Sequence, residues 1–146
     1  MMHSMTGGLW ILAAAFTFGG LARAQTAPPP IDQIIAAERA FAADTRVRGF
    51  KTGFLAAVAP DGIIFAPGPV NARTQLEAIP DGPQPGPALF WWPDFAGVAA
   101  SGDLGFTSGG ANIPVRYFTV WQRQPDGSWR WIYDGGPRLA ALLPGD

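Results

Sequence analysis

Cysteine is absent from this sequence of 146 residues, and histidine occurs once, as His3. The first absence excludes a disulfide framework, a thiolate metal site and a thiol nucleophile. The second leaves one imidazole, too few for an imidazole metal centre. Charge is sparse as well, at 14% of residues with a net value of −1, so no basic footprint for nucleic acid exists. Long apolar runs are missing too. The longest, residues 9 to 18, is shorter than a membrane span. Stability must therefore come from packing, and aromatic side chains supply it: six Trp, ten Phe and two Tyr.

That apolar run precedes Ala22-Arg23-Ala24, a small-x-small signature before Gln25. Residues 1–24 read as a secretory signal peptide, so a periplasmic or secreted protein is expected, with no stable membrane span after cleavage. Cleavage removes His3 and Arg23 and none of the acidic residues. A chain without His or Cys has no Ser-His-Asp or Cys-His nucleophile and calls for no metal or cofactor. Its chemistry rests on Asp, Glu, Tyr, Arg, Lys or Ser.

A Pro-rich lead-in, residues 25–30, opens a single domain running from 31 to 146. Ile31, Ile34, Ile35, Glu38, Phe41 and Ala42 fall at helical spacing, and a second helix is expected from about Thr45 to Val58. "APDG" (59 to 62) reads as the turn that ends it, and "IIF" as a strand. Asn71 is a candidate N-cap for a short helix. "PDGPQPGP" (80 to 87) is loop chemistry, and the remainder reads as strands. Helices followed by an antiparallel meander make the class α+β. The basic group Arg46, Arg48 and Lys51 reads as a solvated helix face.

The most informative stretch is "YFTVWQRQPDGSWRWIYDGG" (117 to 136). Pro125 and Gly127 predict a type I turn with Gly127 at positive φ. If Gln124 pairs with Ser128, Trp121 faces Trp131, and Asp134 falls beside Phe118 on the Val120/Ile132 face. Both faces are then apolar, so something must cover each. Asp134 becomes a carboxylate at the end of a strand among apolar neighbours, a setting that raises a pKa. Glu38, on the apolar side of the first helix, is the other carboxylate to follow; Arg is its expected partner. Asp103 in "SGDLG" reads as a turn residue, and Asp94 as solvent-facing.

The element order, with "IIFAPGPVNARTQLEA", "LFWWPDFAGVAASGDLGFTSG" and the hairpin, resembles the nuclear transport factor 2-like superfamily, near its SnoaL-like and ketosteroid-isomerase-like members. The resemblance covers residues 31 to 136. It implies a cone: a curved antiparallel sheet wrapped on the N-terminal helices, with a pocket at the open end and homodimers through the outer sheet face. Such a cone brings strands bearing Trp91, Phe106, Arg116, Tyr117, Tyr133 and Asp134 round one cavity. Trp91, Phe106 and Tyr133 would also serve as plain core. Two functions follow. One is an exported domain that binds a small apolar or aromatic molecule or dimerises. The other is a cofactor-free isomerase or lyase with Asp134 as general base on a carbonyl-activated C–H. Tyr117 and Tyr133 are the candidate oxyanion donors.

Overall fold

The computed structural model describes residues 26–82 and 88–137. The expected signal peptide and the apolar C-terminal tail lie outside the described residues. Helix α1 spans Pro30–Arg48. Pro30 suits the first turn because its missing N–H would find no partner there anyway. Asp32 in the first turn and Arg46 and Arg48 in the last complement the helix dipole. Its inward stripe is Ile34, Glu38, Phe41, Ala42 and Thr45. The helix does not give way at Thr45 as expected. It ends at Gly49, whose φ of 87° is a backbone state that L side chains resist. Helix α2, Phe50–Ala57, starts beyond that break. Gly53 within it permits a close approach of the two helices, since a Cβ there would stand 2.3 Å from Thr45 Oγ1.

Six strands follow: β1 Val58–Phe65, β2 Pro69–Asn71, β3 Trp91–Val98, β4 Leu104–Ala111, β5 Arg116–Arg123 and β6 Trp129–Gly135. "APDG" is not a terminating turn; it lies inside β1. Pro60 and Asp61 are exposed there while the register against β6 jumps between Val58 and Ile63. The turn-forming residues make a bulge instead. Asn71 caps helix α3, Ala72–Glu77, as read: its Oδ1 accepts the Thr74 N–H at 3.0 Å.

The strands form one curved, unclosed sheet in the order β2-β1-β6-β5-β4-β3, with α1 lying on β3, β4 and β6. This is the expected α+β cone with one correction. The sheet is mixed, because β1 runs parallel to β6 while the other pairs are antiparallel. Parallel neighbours cannot be joined by a hairpin, and here the whole chain from β2 to β5 connects β1 to β6. The core between helices and sheet is aromatic. Phe41 makes edge contacts with Phe54 at 4.7 Å and Trp91 at 4.8 Å, with Trp121 and Trp131 beside them. Among the described residues no helix is long and apolar enough to cross a membrane.

The β5–β6 turn is as read from sequence. Gly127 N–H donates to the Gln124 carbonyl at 2.8 Å, Gln124 N–H to Ser128 at 2.7 Å, and Gly127 has φ 83°. A Cβ at Gly127 meets no close neighbour, so its only penalty is backbone strain. Gly127→Ala should therefore cost about 1 kcal/mol in urea denaturation without altering the slope. An unchanged midpoint would contradict this turn.

Candidate ligand cavity

Alternation along β5 sends Tyr117, Thr119 and Trp121 inward and Phe118 and Gln122 outward. The opposing strand does not keep step. Trp121 pairs with Trp131 as expected, but Val120 pairs with Tyr133 and Thr119 with Asp134. Ile132 is the extra residue of a bulge, and every side chain after it changes face. Asp134 therefore does not sit beside Phe118. It turns to the concave side, where Thr119 Oγ1 donates to its Oδ1 at 2.6 Å.

That side holds a cavity of about 320 Å³, walled by Phe50, Phe54, Trp91, Tyr117 and Trp131, with Asp134 at its polar end. Burial pushes the Asp134 carboxyl up to about 7; the Thr119 hydrogen bond opposes this, and the negative charge of Glu38 adds to it. Tyr117 is raised far above the usual phenol range, first by burial and then by the charges of Glu38, Asp94 and Asp134. It stays a protonated donor at any ordinary pH. Tyr117 Oη and Trp131 Nε1 are both buried and have no hydrogen-bond partner among the described residues. Two unmatched donors in one apolar wall are costly unless something polar meets them.

Beneath the wall lies Glu38, 0% exposed. It accepts hydrogen bonds from Trp91 Nε1, Thr107 Oγ1 and, at 3.2 Å, Trp121 Nε1; Trp121 also donates to Thr107 Oγ1 at 2.8 Å. No Arg is involved, contrary to expectation. Neutral donors take that place, and burial raises the carboxyl despite them.

The structure thus brings Trp91, Tyr117 and Asp134 together, and separates the other three candidates from them. Phe106 lies on the convex face, stacked on Phe118 at 5.2 Å. Arg116 pairs with Asp94 at 2.8 Å, and Asp94 is exposed, as read. Tyr133, displaced by the bulge, packs edge-on to Phe65 at 5.8 Å. Asp103 is a turn residue as read, accepting from Ser101 Oγ. Sequence reasoning missed Trp131 and Phe54 as cavity residues, and Thr119 as the hydrogen-bond partner of Asp134. Trp131 and Thr119 stand on the inward face of the hairpin, a signal already present in its alternation.

No protein-family model matches this chain, and no curated protein matches its sequence. Three solved structures resemble its fold. A presumed ketosteroid isomerase from Parabacteroides distasonis shares 17% identity, covering 75% of this chain and 88% of that one, with a TM-score of 0.53. A domain of unknown function with a cystatin-like fold from Nostoc punctiforme shares 16%, covering 77% and 79%, with a TM-score of 0.56. A ketosteroid isomerase-like protein from Erwinia carotovora shares 16%, covering 71% and 92%, at 0.48. The fold is accordingly the curved α+β cone that the first two of these structures share.

The acids make a pH prediction. Asp134 has a folded pKa above its unfolded value, so the folded state binds its proton more tightly. Its contribution to stability is complete below about pH 4 and is lost as pH rises through about 7. Glu38 acts in the same direction. Asp44, Asp81 and Asp126 are lowered and exert their effect at more acidic pH. Between pH 5 and 8 the urea midpoint should therefore fall, and Asp134→Asn should flatten that fall. An equal slope in wild type and variant would remove Asp134 as its source.

Proposed function

We propose that this chain binds a small, neutral, largely apolar molecule in the cavity, with Asp134, Tyr117 and Trp131 as its polar contacts. One observation carries the reading: an aromatic cavity of about 320 Å³ that encloses a carboxyl near neutrality beside two unpartnered buried donors. The size suits a ligand of one or two fused rings. Among the described residues no basic side chain lines the cavity, which disfavours an anionic ligand. The two donors ask for an acceptor, such as a carbonyl oxygen.

A second, catalytic reading rests on the value near 7 at Asp134, which matches a general base working at neutral pH. The name of the Parabacteroides relative points the same way. Asp134 would take a proton from the carbon beside a carbonyl. The enolate oxygen would be received by Tyr117 Oη–H and Trp131 Nε1–H, and the proton would return to the same or a conjugated carbon.

1-Tetralone, a neutral bicyclic ketone, tests both readings. It should bind one-to-one, and Tyr117→Phe or Ala111→Leu should weaken it several-fold. If the chain is catalytic, deuterium from D2O should appear at C2 of the ketone, and Asp134→Asn should slow that exchange on the order of a hundredfold or more. Binding without exchange would leave the binding reading alone. Binding indifferent to all three substitutions would end both.

The convex face is proposed as a homodimer contact. Phe95 is 64% exposed there, near the Phe106–Phe118 stack, an apolar surface that a second copy would cover. Sedimentation equilibrium should give twice the chain mass, reduced to one by Phe118→Lys; a monomer at all concentrations would refute the contact. With the expected leader, the proposed location is the periplasm or the cell exterior.

A further inference from the structure

Most basic side chains among the described residues have a partner. Arg48 pairs with Asp44, Lys51 with Asp81, and Arg116 with Asp94. Arg73 donates to the carbonyls of Leu55 and Val58, Arg130 to that of Ala56, and Arg123 reaches Gly127. Arg39 and Arg46 are the two that make neither an ion pair nor a hydrogen bond among the described residues. Seven positions apart on α1, about two turns, they stand on one face of the helix. Both line the same cleft, about 290 Å³, between that face and the start of β3.

The rest of the cleft is apolar: Ala42, Ala43 and Pro93 with the rings of Phe90, Trp91 and Trp92. Phe90 and Trp92 are 42% and 46% exposed, their rings 6.0 Å apart. The guanidinium of Arg46 lies 5.8 Å from the Phe90 ring centroid, within cation–π range. These rings are held in place. Asn112 accepts the Phe90 N–H at 3.0 Å and donates to the Ala88 carbonyl at 3.0 Å. The Trp92 indole lies over Gly110, where a Cβ would come within 2.9 Å of it. Of the acids nearest in sequence, Glu38 is buried and taken up by Trp91, Thr107 and Trp121, while Asp44 and Asp94 are paired with Arg48 and Arg116.

We propose that this cleft is a second binding site, for a planar organic anion. Its ring would lie on Phe90 and Trp92, and its oxyanion would be received by Arg39 and Arg46. Guanidinium groups suit this task because they bind oxyanions in a bidentate fork and stack on flat rings. The cleft is opposite in character to the cavity, which has a carboxyl and no cation among its lining residues. It does not depend on the function proposed for that cavity.

Calorimetry with 2-naphthoate, 2-naphthyl phosphate and inorganic phosphate tests this. One or both aromatic anions should bind one-to-one, and affinity should fall several-fold between 20 and 200 mM salt. Which of the two binds more tightly assigns the oxyanion as carboxylate or phosphate. The double variant Arg39→Gln/Arg46→Gln should weaken that binding at least tenfold, and Trp92→Leu several-fold. Ala111→Leu, which narrows the cavity, should leave it within twofold. The proposal is overturned by any of three results: no aromatic anion binding at millimolar concentration, affinity retained in the double arginine variant, or affinity lost in Ala111→Leu. Inorganic phosphate binding as tightly as naphthyl phosphate would also overturn it, since the rings would then contribute nothing.

Discussion

A single carboxylate joins the helical layer to the sheet. Glu38 leaves α1 and receives Trp91 of β3, Thr107 of β4 and Trp121 of β5. Apolar packing alone is non-directional and would let a helix slide or roll across a curved sheet. Three hydrogen bonds to three adjacent strands remove that freedom. The cost of burying a carboxyl is offset only when all its donors are present, which makes the arrangement specific as well as cohesive. The cavity depends on it, because Trp91 is at once a partner of Glu38 and a wall of the pocket.

The second constraint is the bulge at Ile132. Had β6 kept strict alternation after Trp131, Tyr133 would have entered the core and Asp134 would have faced outward. One inserted residue reverses both. It sets a carboxyl against the fully buried hydroxyl of Thr119, within electrostatic reach of Glu38 and Tyr117. The titration behaviour of the cavity therefore originates in backbone geometry, not in an unusual residue.

Features carried by short-range chemistry were legible in the sequence. The cap at Asn71, the turn at Gly127 and the register from Gln124 to Trp121 each follow from a few neighbouring residues. The features that escaped involve competition between local and distant terms. Gly49 falls inside the second helix expected from Thr45 to Val58 and is instead the helix break. Pro60-Asp61-Gly62 has turn composition, yet pairing with β6 draws it into a strand. Alternation marked Trp131 and Thr119 as inward but carried Tyr133 inward with them, since a bulge leaves no mark in a run that is apolar on both faces. Glu38 was singled out rightly, but indole and hydroxyl partners on three separate strands cannot be read from helical spacing.

The parallel pairing of β1 with β6 bears on the order in which the chain assembles. Val58 meets Trp131 across about seventy residues of intervening chain, whereas the β5–β6 hairpin closes through a turn of a few residues. Contacts so distant in sequence give nothing back until a long loop has been closed, so topologies rich in them fold slowly. The hairpin and its neighbour β4 can form early as a local meander. The helices and β1 emerge first from any synthesis or translocation machinery, yet β1 has no parallel partner until the last strand arrives. A chain interrupted before Trp129 would keep β3, β4 and β5 for α1 to lie on but lack the strand that β1 pairs with.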